Sequence, residues 1–218
     1  EAEAAGTAWP VDDEIKPVYD HVLDVMEANG IIHFSEQNAR DWFPSVRERV
    51  AVGKIAPPPG CETLPRGDWA DLQNVGFAAK GAGDDPPLSK GSVGDPRAST
   101  GTAAWMPGSH GSRGLVRELW RIPVVTTAAE KGKRLRCRIS VRCEVTGAEG
   151  VAFQCGIDSR GEPLVVNAAD IGDADYHTYD VGVYDDLRGW ITLWIAPGNN
   201  AENVSAIWVD RAWLVAEP

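Results

Sequence analysis

The chain has 218 residues and 43% hydrophobic content, enough for one ordinary domain with a real core plus an appendage. Its formal net charge of −11 argues against nucleic acid or an anionic membrane as a general partner, and no apolar run approaches the about 18 residues of a membrane span. The charge is uneven, because residues 113–143 hold nine basic and two acidic side chains, a net +7 inside an acidic protein.

The opening Glu1-Ala2-Glu3-Ala4 resembles what incomplete trimming of a yeast secretion leader leaves behind. Residues 1–4 are therefore set aside as a scar, and the product is expected to be secreted and extracellular. Within residues 5–65, Val18, Val22, Val25 and Met26 fall at helical spacing and Asn29-Gly30 supplies a stop. One or two further short helices are expected before the stiff linker Ala56-Pro57-Pro58-Pro59-Gly60. This stretch reads as a helical extension, too short to hold a large core alone.

From residue 66 to 218 the pattern is β. A strand is expected near 69–79, a Gly/Pro/Asp/Ser-rich stretch of loops follows at 81–102, and 103–109 and 115–127 read as strands. The clearest strand is 133–145. Leu135, Cys137, Ile139, Val141, Cys143 and Val145 alternate with Arg134, Arg136, Arg138, Ser140, Arg142 and Glu144, and a strand sends these two sets to opposite faces. Further strands near 151–157, 163–170, 176–184, 190–196 and 205–215 bring the total to about eight. Helices are expected only in the first 65 residues. The fold class is therefore all-β, a two-sheet β-sandwich or jelly roll with a short N-terminal helical extension.

Cys137 and Cys143 lie six apart on one strand, about 20 Å apart, and cannot bridge each other. Cys155, on the next strand, meets Cys143 only if the register brings them together. No C-x-x-C or Cys/His cluster of zinc spacing occurs, so Cys137, Cys143 and Cys155 read as small buried hydrophobes. The sequence also lacks G-x-S-x-G, the P-loop, H-E-x-x-H and a dinucleotide fingerprint. No catalytic residue is assigned. Acids are abundant enough to supply a hydrolytic pair, although solvated surface carboxylates account for nearly all of them.

Two features point to binding instead. Trp190 and Trp194 alternate with Ile191, Leu193 and Ile195, which places two indoles on one face of a strand. Together with Tyr179 they could form a stacking platform for sugar rings; equally, they could complete a sandwich core. The second feature is the arginine row. Arg136 and Arg138, with Arg134 and Arg142, could grip carboxylate or sulfate groups of an acidic polysaccharide, or form a salt-bridge ladder with acids on neighbouring strands.

Asp95-Pro96-x-Ala98-Ser99-x-Gly101, followed by an apolar strand, resembles an element of the galactose-binding-like β-sandwich carbohydrate-binding modules appended to bacterial glycoside hydrolases. Tyr176-His177-Thr178-Tyr179-Asp180-Val181-Gly182 and Val204-Ser205-Ala206-Ile207-Trp208-Val209-Asp210 are similar to two further elements of that group. The resemblance covers about residues 69–216. It implies a polysaccharide as partner and a catalytic domain on the same parent chain. It also implies a structural Ca2+ held by Asp210 on the last strand and by an acidic first strand, where Asp71 and Gln73 are a loose counterpart. The expected function is non-catalytic polysaccharide binding. A polysaccharide-active hydrolase or lyase, and a structural docking domain of a larger hydrolase, stand as rivals.

Overall fold

A computed structural model describes residues 57–64, 68–79, 90–109, 114–119, 122–158, 160–185, 187, 189 and 191–217, all within the unit Pro57–Pro218. The expected helical extension before residue 57, and Trp190, lie outside the described residues.

Two antiparallel sheets face each other. The first joins β3 (Lys90–Gly94), β4 (Thr102–Pro107), β11 (Val204–Ala216), β6 (Leu135–Val145) and β9 (His177–Tyr184) in that order. A sixth strand, β1 (Trp69–Gln73), also pairs with β11. The second sheet runs β2 (Ala78–Ala79), β5 (Leu115–Glu118), β10 (Thr192–Pro197), β7 (Val151–Ile157) and β8 (Arg160–Asn167). The all-β sandwich is thus as the alternation predicts, with eleven strands among the described residues in place of about eight.

The period-2 pattern decides which faces meet. Leu135, Cys137, Ile139, Val141 and Cys143 of β6 are all buried in the core, as are Leu193 and Ile195 of β10. Phe153 of β7 and Tyr179 of β9 cross the gap between the sheets with ring centroids 5.1 Å apart in an edge-to-face pair. All four cysteines are free and buried, so the three sandwich thiols pack as apolar side chains, and no Cys143–Cys155 bridge forms.

One segment departs from expectation. Residues 115–127 read as strand, but β5 stops at Glu118 and Pro123–Glu130 forms helix α1, so helices are not confined to the first 65 residues. Pro123 has no N–H for a sheet ladder and suits the first helical position. Val124, Val125 and Ala128 then fall on one face and are buried in the core. The helix ends in a Schellman motif. Gly132 takes φ +65°, its N–H donates to the Ala129 carbonyl, and the Lys133 N–H donates to the Ala128 carbonyl at 2.8 Å.

Candidate functional site

Each sheet has an outward face, and they differ in character. On the five-stranded sheet, Trp194 of β10 alternates with buried Leu193 and Ile195 and therefore points outward, where it is half-buried. Register places it between Val116 of β5 and Gly156 of β7. A Cβ built on Gly156 would lie 3.3 Å from Cζ2 and 3.4 Å from Cε2 of the indole, and 3.5 Å from the Pro163 Cα of β8. The ring thus leans over the strand next to its own. Ala78, Val116, Trp194, Gly156 and Pro163 make an apolar band crossing all five strands. Four interstrand spacings make it roughly 19 Å long, the length of a short oligosaccharide rather than one sugar.

Polar groups border the band. The Thr192 hydroxyl donates to Asp158, and Glu118 lies opposite Thr192. On the other flank, Gln154 pairs with Ala196 and with Val165, which is 46% exposed. Amide, hydroxyl and carboxylate groups along an apolar strip are what a sugar chain meets well, through C–H faces and hydroxyls together. Gly156 and its neighbours escaped sequence reading. Only the register of β7 against β10 shows that a glycine makes room for the indole.

The outward face of the six-stranded sheet is closed by its own side chains. Asp95 is 2% exposed and accepts from Arg142 Nε at 2.8 Å, from the Tyr176 hydroxyl at 2.7 Å and from the Arg97 N–H at 3.1 Å. Arg142 also donates to Glu144 at 3.1 Å, and its guanidinium carbon sits 4.3 Å from the Trp208 ring centroid. Trp208 in turn packs edge-to-face on Trp105, with centroids 6.4 Å apart. Trp213 is 0% exposed although it lies on the outward row between Asp71 and Arg138. The segment 57–64 lies over this row, with Gly60 beside Arg138 Nη1 and buried Cys61 in the field of Arg138, Asp71 and Arg211.

The expected site residues are therefore divided. Trp194 stands on the five-stranded face. Tyr179 belongs to the other sheet and points inward onto Phe153, where burial pushes its hydroxyl up to about 12, so it cannot join Trp194 in a platform. The arginines lie on the far face and are mostly spoken for. Arg136 is gripped by both Asp180 and Glu217, Arg134 lies 3.3 Å from Asp185, and Arg142 is buried with Asp95. Arg138 makes no ion pair among the described residues and sits under the 57–64 segment. Three of the four arginines thus form a structural ladder, each held by a carboxylate that the fold brings from just beyond a neighbouring strand or from β9.

The motif around Asp95 is likewise architectural. Turns close Ala98 N–H onto the Asp95 carbonyl and Gly101 N–H onto the Ala98 carbonyl, both at 3.0 Å, with Gly101 at φ +75°. This presents Ser99, whose N–H and hydroxyl both donate to Asp210 Oδ1, at 3.0 and 2.9 Å.

No protein-family model and no curated protein sequence matches this chain. Solved structures with similar folds include the CBM22-1 xylan-binding domain of Paenibacillus barcinonensis Xyn10C, at TM-score 0.42 and 12% identity, covering 67% of this chain and 92% of that one. An exo-β-1,3-galactanase from Phanerochaete chrysosporium aligns at TM-score 0.42 and 11% identity over 67% of this chain, which spans 29% of the galactanase's length. The mosquito-larvicidal Cry4Aa toxin of Bacillus thuringiensis gives 0.40 and 10% identity, over 69% of this chain and 24% of the toxin.

Proposed function

We propose that this protein is a non-catalytic polysaccharide-binding module of a secreted bacterial carbohydrate-degrading system. It holds a sugar chain along the outward face of its five-stranded sheet. The observation that carries this reading is the half-exposed indole of Trp194, seated over Gly156 in the middle of the apolar band that crosses the sheet. A module of this kind raises the effective concentration of an attached catalytic domain at its substrate, so a modest affinity is sufficient. The band favours neutral chains. Asp158 and Glu118 flank it, whereas the arginine ladder stands on the opposite face.

The test is affinity electrophoresis through gels containing xylan, galactan, β-glucan or polygalacturonate, paired with isothermal titration calorimetry on soluble oligosaccharides. A neutral glycan should retard the protein, and Trp194→Ala should weaken retention by about 10- to 100-fold in Kd, the range for truncating an aromatic anchor. Arg136→Ala, on the far sheet, should be retained like the wild type. No retention by any glycan overturns the reading. Equal retention of the wild type and Trp194→Ala moves the site elsewhere.

A further inference from the structure

At the centre of the six-stranded sheet, β11 changes neighbours. Residues 206–209 pair with β4 and residues 211–215 pair with β1 on the same side, so Asp210 falls at the seam between two partner strands. The register of β11 against β6 also slips between Val209 and Arg211, leaving Asp210 in a bulge. A carboxylate is thus held where the pairing of the sheet is interrupted, with 6% of its side chain exposed. Asp71 of β1, also 6% exposed, comes to the same place from the incoming strand.

Two nearly buried carboxylates require positive charge nearby. The family resemblance would supply it as Ca2+, yet the donor set does not fit that ion. Ca2+ takes six to eight oxygens at about 2.3–2.6 Å. No cluster of three or more Asp, Glu, His or Cys side chains suited to a metal exists among the described residues. More directly, a guanidinium stands at this place. Arg211 Nη1 is 3.3 Å from Asp71 Oδ2, its Nε is 3.9 Å from Asp210 Oδ2, and only 13% of its side chain is exposed. The Trp213 ring, 5.8 Å away, backs the guanidinium, while Ser99 satisfies the remaining oxygen of Asp210. A divalent ion between these carboxylates would be set against a fixed positive charge.

We propose that Arg211 is the built-in cation of this seam. It ties β1 to β11 by bridging Asp71 and Asp210, and the fold needs no metal there. The guanidinium reaches both strands with separate nitrogens, whereas a lysine offers one point charge and cannot span them.

Thermal unfolding of the 218-residue chain with millimolar CaCl2 or with EDTA, together with calorimetric titration of Ca2+ alone, tests this. The wild type should unfold at the same temperature in both and take up no Ca2+. Arg211→Gln should lower Tm by on the order of 10 °C, as expected for breaking a buried pair in a domain of this size. If that variant fails to fold, the double variant Asp71→Asn with Arg211→Gln, which removes charge from both sides, should fold and recover part of the loss. A fall in wild-type Tm with EDTA that Ca2+ restores overturns the proposal. So does an Arg211→Gln variant as stable as the wild type, or a double variant no more stable than the single one.

Discussion

The indole of Trp194 lies across the space that a side chain at Gly156 would fill, 3.3 Å from the missing Cβ. The glycine on β7 thereby sets the tilt of the ring on β10. Gly156→Val leaves the backbone unstrained, since this glycine is not among those with positive φ, and valine suits a strand. Its methyl groups must displace the indole. Glycan affinity should fall about tenfold, while Tm changes by no more than a few degrees. Calorimetry with the best-retained oligosaccharide, beside a thermal melt, separates the two effects.

The buried pair Asp95–Arg142 carries a stability prediction. Asp95→Asn leaves a guanidinium that is 7% exposed with Glu144 as its remaining carboxylate. The expected loss is about 3 kcal/mol, typical of removing one partner from a buried ion pair. Replacing both groups, as Asp95→Asn with Arg142→Met, should cost less than the single change, because no uncompensated charge remains. Urea denaturation of the wild type and the two variants decides it.

The same sheet makes acid stability depend on two aspartates with opposite signs. Burial pulls the Asp95 carboxyl upward, but hydrogen bonds from Arg142, Tyr176 and the Arg97 N–H outweigh it and hold the group below its ordinary value. Its contribution is therefore full above the unfolded pKa, about 3.9, and is lost as pH falls through the lower folded value. Asp210 runs the other way. Burial outweighs the Ser99 bonds and raises it, so the ionised form costs stability at neutral pH and protonation relieves that cost on acidification. Urea midpoints followed from neutral pH to about pH 3 should show a shallower acid limb for Asp95→Asn and a steeper one for Asp210→Asn. Parallel curves for all three proteins would contradict the assignment.

Much of this architecture was legible because β6 and β10 alternate cleanly and a sandwich is the ordinary way to bury such faces. The residues 115–127 misled because β-branched Val124 and Val125 suit strands, while Pro123 and the later Gly132 frame a helix whose core contacts are tertiary. The site was legible only in part. Trp194 could be placed on the face opposite Leu193 and Ile195, but which face looks outward, and that Tyr179 lies between the sheets, depend on how the strands are shared between the two sheets. The arginine row looked open because its partners are remote in sequence: Asp180 lies 44 residues from Arg136, and Glu217 lies 81.

The four thiols give a direct check on packing. Burial pushes Cys143 and Cys155 up to about 12 and raises Cys61 and Cys137 as well. A buried, protonated thiol is a poor nucleophile. Ellman's reagent should therefore titrate essentially no thiol in the native protein and four in denaturant, and reducing agent should leave Tm unchanged. A rapidly labelled native cysteine would show that one of these sites opens.

Salt separates the two outward faces. Arg136 is held by Asp180 and Glu217 at the sheet margin, and exposed or half-exposed pairs of this kind contribute about 0–1 kcal/mol. Arg136→Ala should lower stability by no more than that and leave glycan retention intact. If the ligand is a neutral chain lying on Trp194, raising salt to several hundred millimolar should barely change its affinity, because ring stacking and sugar hydroxyl contacts carry no net charge for ions to screen. An acidic chain on the same band would meet Asp158 and Glu118, and its weak binding should improve as salt screens that repulsion. Affinity for polygalacturonate that is strong at low salt, falls on adding salt and is lost in Arg136→Ala would instead place the ligand on the arginine ladder, and would require that ladder to open.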